Sequence, residues 1–470
     1  MSWDGPTLLD SFERDGEWWL PGDGMPEKVF GRASFDPAGG VRLKTLRPFP
    51  EEGRREIGRR FRPPLILGFW GYGTPVTLYR ATRVGTVRPS GSNFGSEFYA
   101  RYAVDGYHFQ AEEDATLFSL EVGFTDLEEW AGHHPFAGTI PVPGNRCTGY
   151  REMRPVEAEV GSLRAKLTVR SDMKSWALVP MKTLRWEHRA VFEIEPEEEK
   201  PPRWYRDVLG GLQDLLTLLV GRPVYPSAAE AQVRLRGGSS RADLFFDGGS
   251  RQPGTALPSA RLSRDSDVLL PLPQIRHDLP RALEIWFAKR ELLAPVYDLF
   301  FGVLFGPGVG PEYQFLSLAQ ALETYHRRTR PESRYLAEAE YGRRYEEIVG
   351  ALPDDLPRPL KSKIKDVLKY GNEWSLRKRL KDIFDELPGG VVEDGGGDFV
   401  EAVVNTRNYL THYTEELRGR ALHGTALSGA ADELRRLVAF LLFRELGLDE
   451  GKVVAALDRV PRHEYFSLED

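Results

Sequence analysis

The chain has 470 residues, 41% of them hydrophobic and 28% charged, with a formal net charge of -7. That balance belongs to a folded protein of two or three domains and lacks the basic excess that broad adhesion to nucleic acid or anionic lipid requires. Its single cysteine, Cys147, excludes internal disulfides and zinc sites built on several thiolates, and fits a reducing cytoplasm.

The first twenty residues interleave acids with apolar residues and predict no secretory leader. The longest apolar runs, from Leu215 and Leu437, fall far short of the ~20 residues of a membrane span. From residue 1 to 195, short alternating stretches separated by Gly, Pro and Asp predict a β-rich, sandwich-like N-terminal domain. In "EFYARYAVDGYHFQA", Phe98, Ala100, Tyr102 and Val104 alternate up to Asp105-Gly106, and Tyr107 and Phe109 resume the period, predicting a hairpin on a primed turn. "SLRAKLTVRS", "WALVPM" and "RAVFEIE" read as further strands. An acidic run with paired prolines, residues 193–204, predicts a linker. A helix over "WYRDVLGGLQDLLTLLVG" follows and stops at Gly221.

"AQVRLRGG", "ADLFFDGG" and "DVLLPLPQI" read as strands before helical periodicity returns, so residues 203–305 are expected to continue the N-terminal unit with mixed helix and strand. Beyond "GPGVGP", residues 311–470 predict a C-terminal all-α bundle, giving an α+β multidomain chain without solenoid repeats.

One bundle helix breaks its own pattern. In "VVNTRNYLTHYTEEL", Phe399, Val400, Val403, Val404, Leu410 and Thr414 fall on one stripe, and Arg407 lands near its middle. A guanidinium there needs an ion partner, a polar cavity or another subunit. Asn405, Asn408 and His412 form a polar row on another face. At about 100° per residue, Arg407 and His412 point roughly 140° apart. Three solutions are open: a helix break near Asn405-Thr406, an arginine that curls round, or a facing helix that completes the site. The glycines of "GGGD", 395–398, lack a phosphate-loop ending, and Asp398 reads as an N-cap. His133-His134 has no Cys or acidic cluster at ligand spacing, and no metal site is expected.

Arg407-Asn408-Tyr409-Leu410-Thr411-His412 resembles the Arg, polar residue, spacer, His pattern of the HEPN superfamily of helical-bundle ribonucleases. Arg418 and His423 repeat the spacing without the Asn. "FLSLAQALETYHRR", "VVNTRNYLTHY", "FTDLEEWAG" and "PPRWYRDVLGGLQDLLTLLVG" together resemble the ApeA-type anti-phage proteins over most of the chain. That resemblance implies an ApeA domain followed by a HEPN domain. It further implies RNA cleavage, tRNA being one candidate substrate, regulation through the N-terminal domain by a phage-derived trigger, abortive infection, and a homodimer or higher homo-oligomer through the bundle. It also makes Glu323, one turn from His326 on the first bundle helix, a candidate accessory residue, against the reading of a solvated helix face.

The chemistry of the residues is compatible with that role. In metal-independent RNA cleavage the 2′-hydroxyl attacks the neighbouring phosphate, leaving a 2′,3′-cyclic phosphate and a 5′-hydroxyl. Histidine can exchange protons near neutrality, which assigns His412 as general acid or base. Arginine grips phosphate oxygens with a permanent charge, which assigns Arg407 as clamp, with Asn408 in support to orient the imidazole or bind the ribose and no cofactor required. Between Lys361 and Lys381 eight Lys or Arg, with Tyr370 and Trp374 interleaved, make Lys361, Lys363, Lys365, Lys369, Arg377, Lys378 and Arg379 candidates to track RNA, or else a charged helix exterior. Two other readings remain: a non-catalytic protein whose bundle serves dimerisation or RNA binding, and a carbohydrate- or peptide-binding β-sandwich with a helical appendage.

Overall fold

The computed structural model describes residues 5–22, 25–54, 61–71, 73–87, 95–142, 145–178, 183–235, 237–248, 268–306, 308–392 and 397–459. The chain forms two compact units, the first mainly Met1–Ala288 and the second mainly Lys289–Arg444 with residues from Asp449 onward.

The first unit is β-rich. Its leading strands are β1 (Phe12–Trp19), β2 (Val29–Asp36), β3 (Gly40–Thr45), β4 (Leu65–Trp70), β5 (Thr74–Val87) and β6 (Gly95–Asp105). They do not form two facing sheets. Their order is β6-β3-β2-β1-β4-β5, and β5 also pairs with β6, so the six strands close into a barrel that leaves no free edge between its first and last strand. Strand alternation, which reads the same for a sandwich and a barrel, could not distinguish them. The interior is filled by large rings, including Trp18 and Trp70 in edge-to-face contact at 6.2 Å. Gly68 makes room for them, because a Cβ there would stand 2.4 Å from the Trp18 ring.

The expected hairpin at Asp105-Gly106 is absent. β6 ends at that turn, but β5 occupies one edge while β3 and then β14 (Gly238–Phe246) occupy the other, leaving no edge for a returning strand. The chain after it is held by Thr77, whose Oγ1 donates to the Tyr107 carbonyl at 2.9 Å and accepts from the Phe109 N–H at 3.1 Å.

The sheet continues outward from the barrel through β14, β13 (Pro226–Leu235), β7 (Ser119–Phe124), β12 (Thr183–Pro196), β11 (Ala165–Leu178) and β10 (Val156–Val160). A short hairpin, β8 (Phe136–Val142) and β9 (Asn145–Tyr150), stands apart. The apolar face of this extension is covered in part by α1 (Leu127–Ala131), whose Trp130 stacks on Phe192 at 6.0 Å. Helix α2 (Pro202–Val220) begins at paired prolines and ends at Gly221, whose φ of 90° is the left-handed cap that glycine supplies. The linker is therefore shorter than the sequence predicts, since β12 runs on to Pro196. "DVLLPLPQI" is not a strand: Leu269 and Leu270 donate to the last carbonyls of α2, and Leu272–Ile275 form the short α3. Helix α4 (Leu279–Ala288) closes this part of the unit.

The second unit is helical: α5 (Arg290–Phe305), α6 (Pro311–Thr329), α7 (Glu338–Gly350), α8 (Arg358–Lys369), α9 (Leu376–Asp385), α10 (Gly397–His412), α11 (Glu415–Arg418), α12 (Gly424–Glu445) and α13 (Glu450–Arg459). The division falls ahead of α5, which the sequence reading left in the first unit; α5 packs on α6, and its Phe300 and Phe301 are both fully buried. Helix α12 supplies much of the core, from Leu427 to Phe443. Its Arg436 is enclosed, yet donates to the carbonyls of Val391 at 2.7 Å, Leu457 at 2.6 Å and Gly390 at 2.8 Å and pairs with Asp458, so the charge is satisfied by backbone and a carboxylate. Helices α7 and α8 bury no side chain.

Candidate active site

Helix α10 is continuous from Gly397 to His412, which removes the proposed break at Asn405-Thr406. Thr406 is fully buried instead, and its Oγ1 accepts the Leu422 N–H at 2.9 Å. The buried stripe runs through Val400, Val403, Val404, Thr406 and Leu410, so Arg407 stands beside it, half-buried, rather than in its middle. Thr414 lies beyond the helix and is exposed, and Asp398 sits inside the first turn rather than capping it.

The facing helix supplies the partner. Arg407 Nη2 lies 3.8 Å from Glu323 Oε2 on α6, and Glu323 is only 12% exposed. Glu323 is thus no solvated helix face. Its Oε1 accepts from Arg327 Nε at 3.2 Å and Nη2 at 3.0 Å, one turn along α6. Arg407 Nη1 also donates to Asn408 Oδ1 at 3.3 Å, so Asn408 braces the arginine rather than the imidazole. His412 is the last residue of α10 and exposed; Tyr413, with φ of 51°, turns the chain away immediately after it. Arg407 and His412 therefore occupy different faces, one against α6 and one at the helix end. Arg418 is tied to Glu415 at 3.1 Å, and His423 Nε2 is bonded to the Arg418 carbonyl at 3.0 Å, which makes that repeat of the spacing a local loop fixture.

Behind Arg407 runs a chain of alternating charges that the sequence did not announce. Arg327 pairs with Glu373 as well as Glu323, and Glu373 lies 4.0 Å from Arg379. Burial pulls the Arg327 guanidinium down, but Glu373 and Glu323 outweigh it and leave its pKa raised, while the hydrogen bond from Arg327 holds Glu373 below the usual carboxylate range. Arg379 is buried. It donates to the Trp374 carbonyl at 2.9 Å and to His326 Nδ1 at 3.0 Å. A guanidinium only donates, so Nδ1 accepts and Nε2 carries the proton toward Asp382 Oδ2 at 3.0 Å. Burial keeps this wholly enclosed imidazole below the ordinary histidine pKa. Of this cluster the sequence reading set only Glu323 and His326 together, one turn apart; Glu373, Arg379 and Asp382 reach it from other elements.

The seven basic candidates separate. Lys361 lies 3.8 Å from Asp354, and Lys363, Lys365 and Lys369 stand on the solvated α8. Arg377 pairs with Glu401 of α10 at 2.8 Å, and Lys378 is exposed. Arg379 has no surface to offer a ligand, its burial being enforced by His326 and the Trp374 carbonyl.

In the first unit His133 Nε2 is bonded to the Arg151 carbonyl at 2.6 Å. Among the described residues no group of three or more His, Cys, Asp or Glu could hold a metal ion, and no helix is long and apolar enough to cross a membrane. Residues 13–286 match the family model described as ApeA N-terminal domain 1, and residues 316–452 match that described as Apea-like HEPN. No curated protein and no solved structure gives a match.

Proposed function

The chain belongs to the ApeA family of HEPN-type anti-phage defence proteins, and from that membership we propose that its helical unit is a metal-independent endoribonuclease acting through Arg407 and His412. The observation that carries the reading is the treatment of Arg407. It is held at the edge of the core by Glu323 and Asn408 yet still about one-third exposed, with an imidazole on the same helix that has no hydrogen-bond or ion-pair partner among the described residues. A structural arginine would be expected to be closed in, as Arg436 is. A clamp needs its fork fixed and its outer face open to phosphate.

Arg407 grips the non-bridging oxygens, stabilising the charge that grows on the phosphorane. His412 takes the 2′-hydroxyl proton or donates one to the departing 5′-oxygen. Since the two residues sit on different faces of one helix, a second copy of the chain is proposed to bring its His412 to the first copy's Arg407, making the homodimer the working unit. The β-rich unit regulates this activity in response to infection, and tRNA is one substrate to test.

Arg407→Ala and His412→Ala, made separately with fold and oligomeric state verified, are expected to lower RNA cleavage by about 10²–10⁴-fold each. Cleavage that survives both substitutions would sink the reading. Activity should persist in EDTA, and the ends should be 2′,3′-cyclic phosphate and 5′-hydroxyl. Mixing the two variants tests the shared site: recovery of part of the activity is expected, and none would place both groups in one copy.

A further inference from the structure

Two arginines share one carboxylate behind the candidate site. Glu323 Oε1 accepts from Arg327 Nε at 3.2 Å and Nη2 at 3.0 Å, while Oε2 faces Arg407 Nη2 at 3.8 Å. A guanidinium favours spanning both oxygens of a carboxylate with two parallel N–H bonds. Arg327, one turn along the same helix as Glu323, is within reach of that arrangement, which would cover Oε2 and leave Arg407 without its ion partner. It is held to one oxygen instead. Its remaining nitrogen, Nη1, pairs with Glu373 from the turn between α8 and α9, so turning the fork onto Oε2 means breaking that pair.

Glu373 is carried on a turn fixed from two sides. Its neighbour Asn372, 3% exposed, donates from Nδ2 to the Leu336 carbonyl at 2.9 Å and accepts the Leu336 N–H at Oδ1 at 2.9 Å, and the Asn372 carbonyl accepts the Tyr335 N–H at 3.0 Å. Arg334 and Glu373 form an antiparallel bridge between the same two segments. Lys378 adds a further tie, lying 4.4 Å from the Trp374 ring centroid and 5.1 Å from that of Tyr335. On the inner side buried Arg379 donates to the Trp374 carbonyl at 2.9 Å and stands 4.0 Å from the Glu373 carboxylate.

With Arg327 41% and Glu373 37% exposed, their pairing is screened and braces the fold only weakly. Its consequence lies in where it leaves the Arg327 fork. Without the Glu373 charge, Glu323 is the only carboxylate left to Arg327 among the described residues, and Arg379 repels it from the other side. Both effects drive the fork toward Glu323, at the expense of Arg407.

We infer that Glu373 is a positioning residue for Arg407: by holding Arg327 Nη1 it leaves Oε2 of Glu323 to orient the Arg407 guanidinium toward phosphate. Glu373 acts through Arg327 and Glu323 in turn and touches neither Arg407 nor the reacting atoms. This rests on the ribonuclease reading above and adds a residue to its machinery.

The test uses the full chain and total cellular RNA, with apparent kcat and KM followed across pH. Glu373→Gln should lower kcat by about 10- to 100-fold with KM little changed, because the displaced clamp acts on charge that grows in the transition state. The pH profile should keep its shape, since Glu373 moves no proton. Glu373→Asp, which keeps the charge, should recover most of the loss. Adding Arg327→Lys to Glu373→Gln should do the same: an ammonium keeps the charge of Arg327 but cannot span two oxygens, which returns Oε2 to Arg407. A merely structural Glu373 would give losses that add in the double variant. Unchanged far-UV circular dichroism and melting exclude unfolding as the cause. Full cleavage by Glu373→Gln, or a further loss in the double variant, overturns the positioning role while cleavage by the unsubstituted chain leaves the ribonuclease standing. Absence of cleavage by the unsubstituted chain, or cleavage indifferent to Arg407→Ala, removes both.

Discussion

The two units arrange their buried charge in opposite ways. In the first, strand register lines up five carboxylates on one face of the sheet: Asp105 opposite Asp243, Asp243 opposite Glu230, Glu230 opposite Glu121, and Glu121 opposite Glu193. In the second, signs alternate from Arg407 through Glu323, Arg327 and Glu373 to Arg379. Directly paired residues across strands share a face about 5 Å apart, so like charges in register repel. Arginines pair with the members on either side of Asp243, which has no ion pair among the described residues: Arg14 with Asp105 at 3.0 Å, Arg241 with Glu230 at 3.3 Å, and Arg170 with Glu121 at 2.7 Å and Glu193 at 2.8 Å. Burial, with Asp105 and Glu230 as neighbours, pushes Asp243 up to about 6, and burial likewise raises Asp105 and Glu121. The same residue types therefore make a proton-sensitive seam in one unit and a fixed, self-neutralising chain of ion pairs behind Arg407 in the other.

Breaking the alternation should have the largest effect. Glu373→Arg sets three cations side by side and is expected to cost about 2–4 kcal/mol of unfolding free energy, with cleavage falling as Arg327 shifts and draws Glu323 away from Arg407. Urea unfolding and single-turnover cleavage read the two consequences. An unaffected midpoint would show that the chain is not energetically continuous.

In the carboxylate row the sign reverses. Asp243→Asn removes a charge that burial and its neighbours already disfavour, and should stabilise the protein by about 1–2 kcal/mol at neutral pH. The folded carboxyl, raised to about 6, keeps its proton where the unfolded chain has lost it. The gain should therefore be absent below about pH 4, grow as pH rises through the folded value, and be complete above about pH 7. Denaturation of both proteins across that window measures it; a pH-independent difference would mean that Asp243 is not the group titrating. Smallest of all, Arg241→Gln should change stability by no more than about 0.5 kcal/mol, because that guanidinium is 54% exposed and its pairing with Glu230 is screened. A larger loss would show that Arg241 relieves the row in spite of its exposure.

Local chemistry was legible in the chain. Gly221 as a helix stop, the prolines that open α2, the helices from α6 onward and the misplaced Arg407 all follow from spacing within a few residues. The hairpin at Asp105-Gly106 did not, because the turn residues are right but both edges of β6 are claimed by distant strands. "DVLLPLPQI" misled for a related reason: its apolar residues are buried, but against the end of α2 rather than within a sheet.

For the candidate site the division is the same. The sequence by itself singled out Arg407, Asn408 and His412 as candidates, and most of the buried stripe of α10, Val400, Val403, Val404 and Leu410, since both follow from residue type and the helical period. Only the tertiary structure decided that α10 runs unbroken, that Glu323 faces Arg407, that Arg379 is enclosed, and that Tyr335 meets Trp374 across Lys378. The reason is physical: ion pairs and ring contacts act over a few ångströms between elements that may be 50 or more positions apart, and no local periodicity encodes which of them will meet.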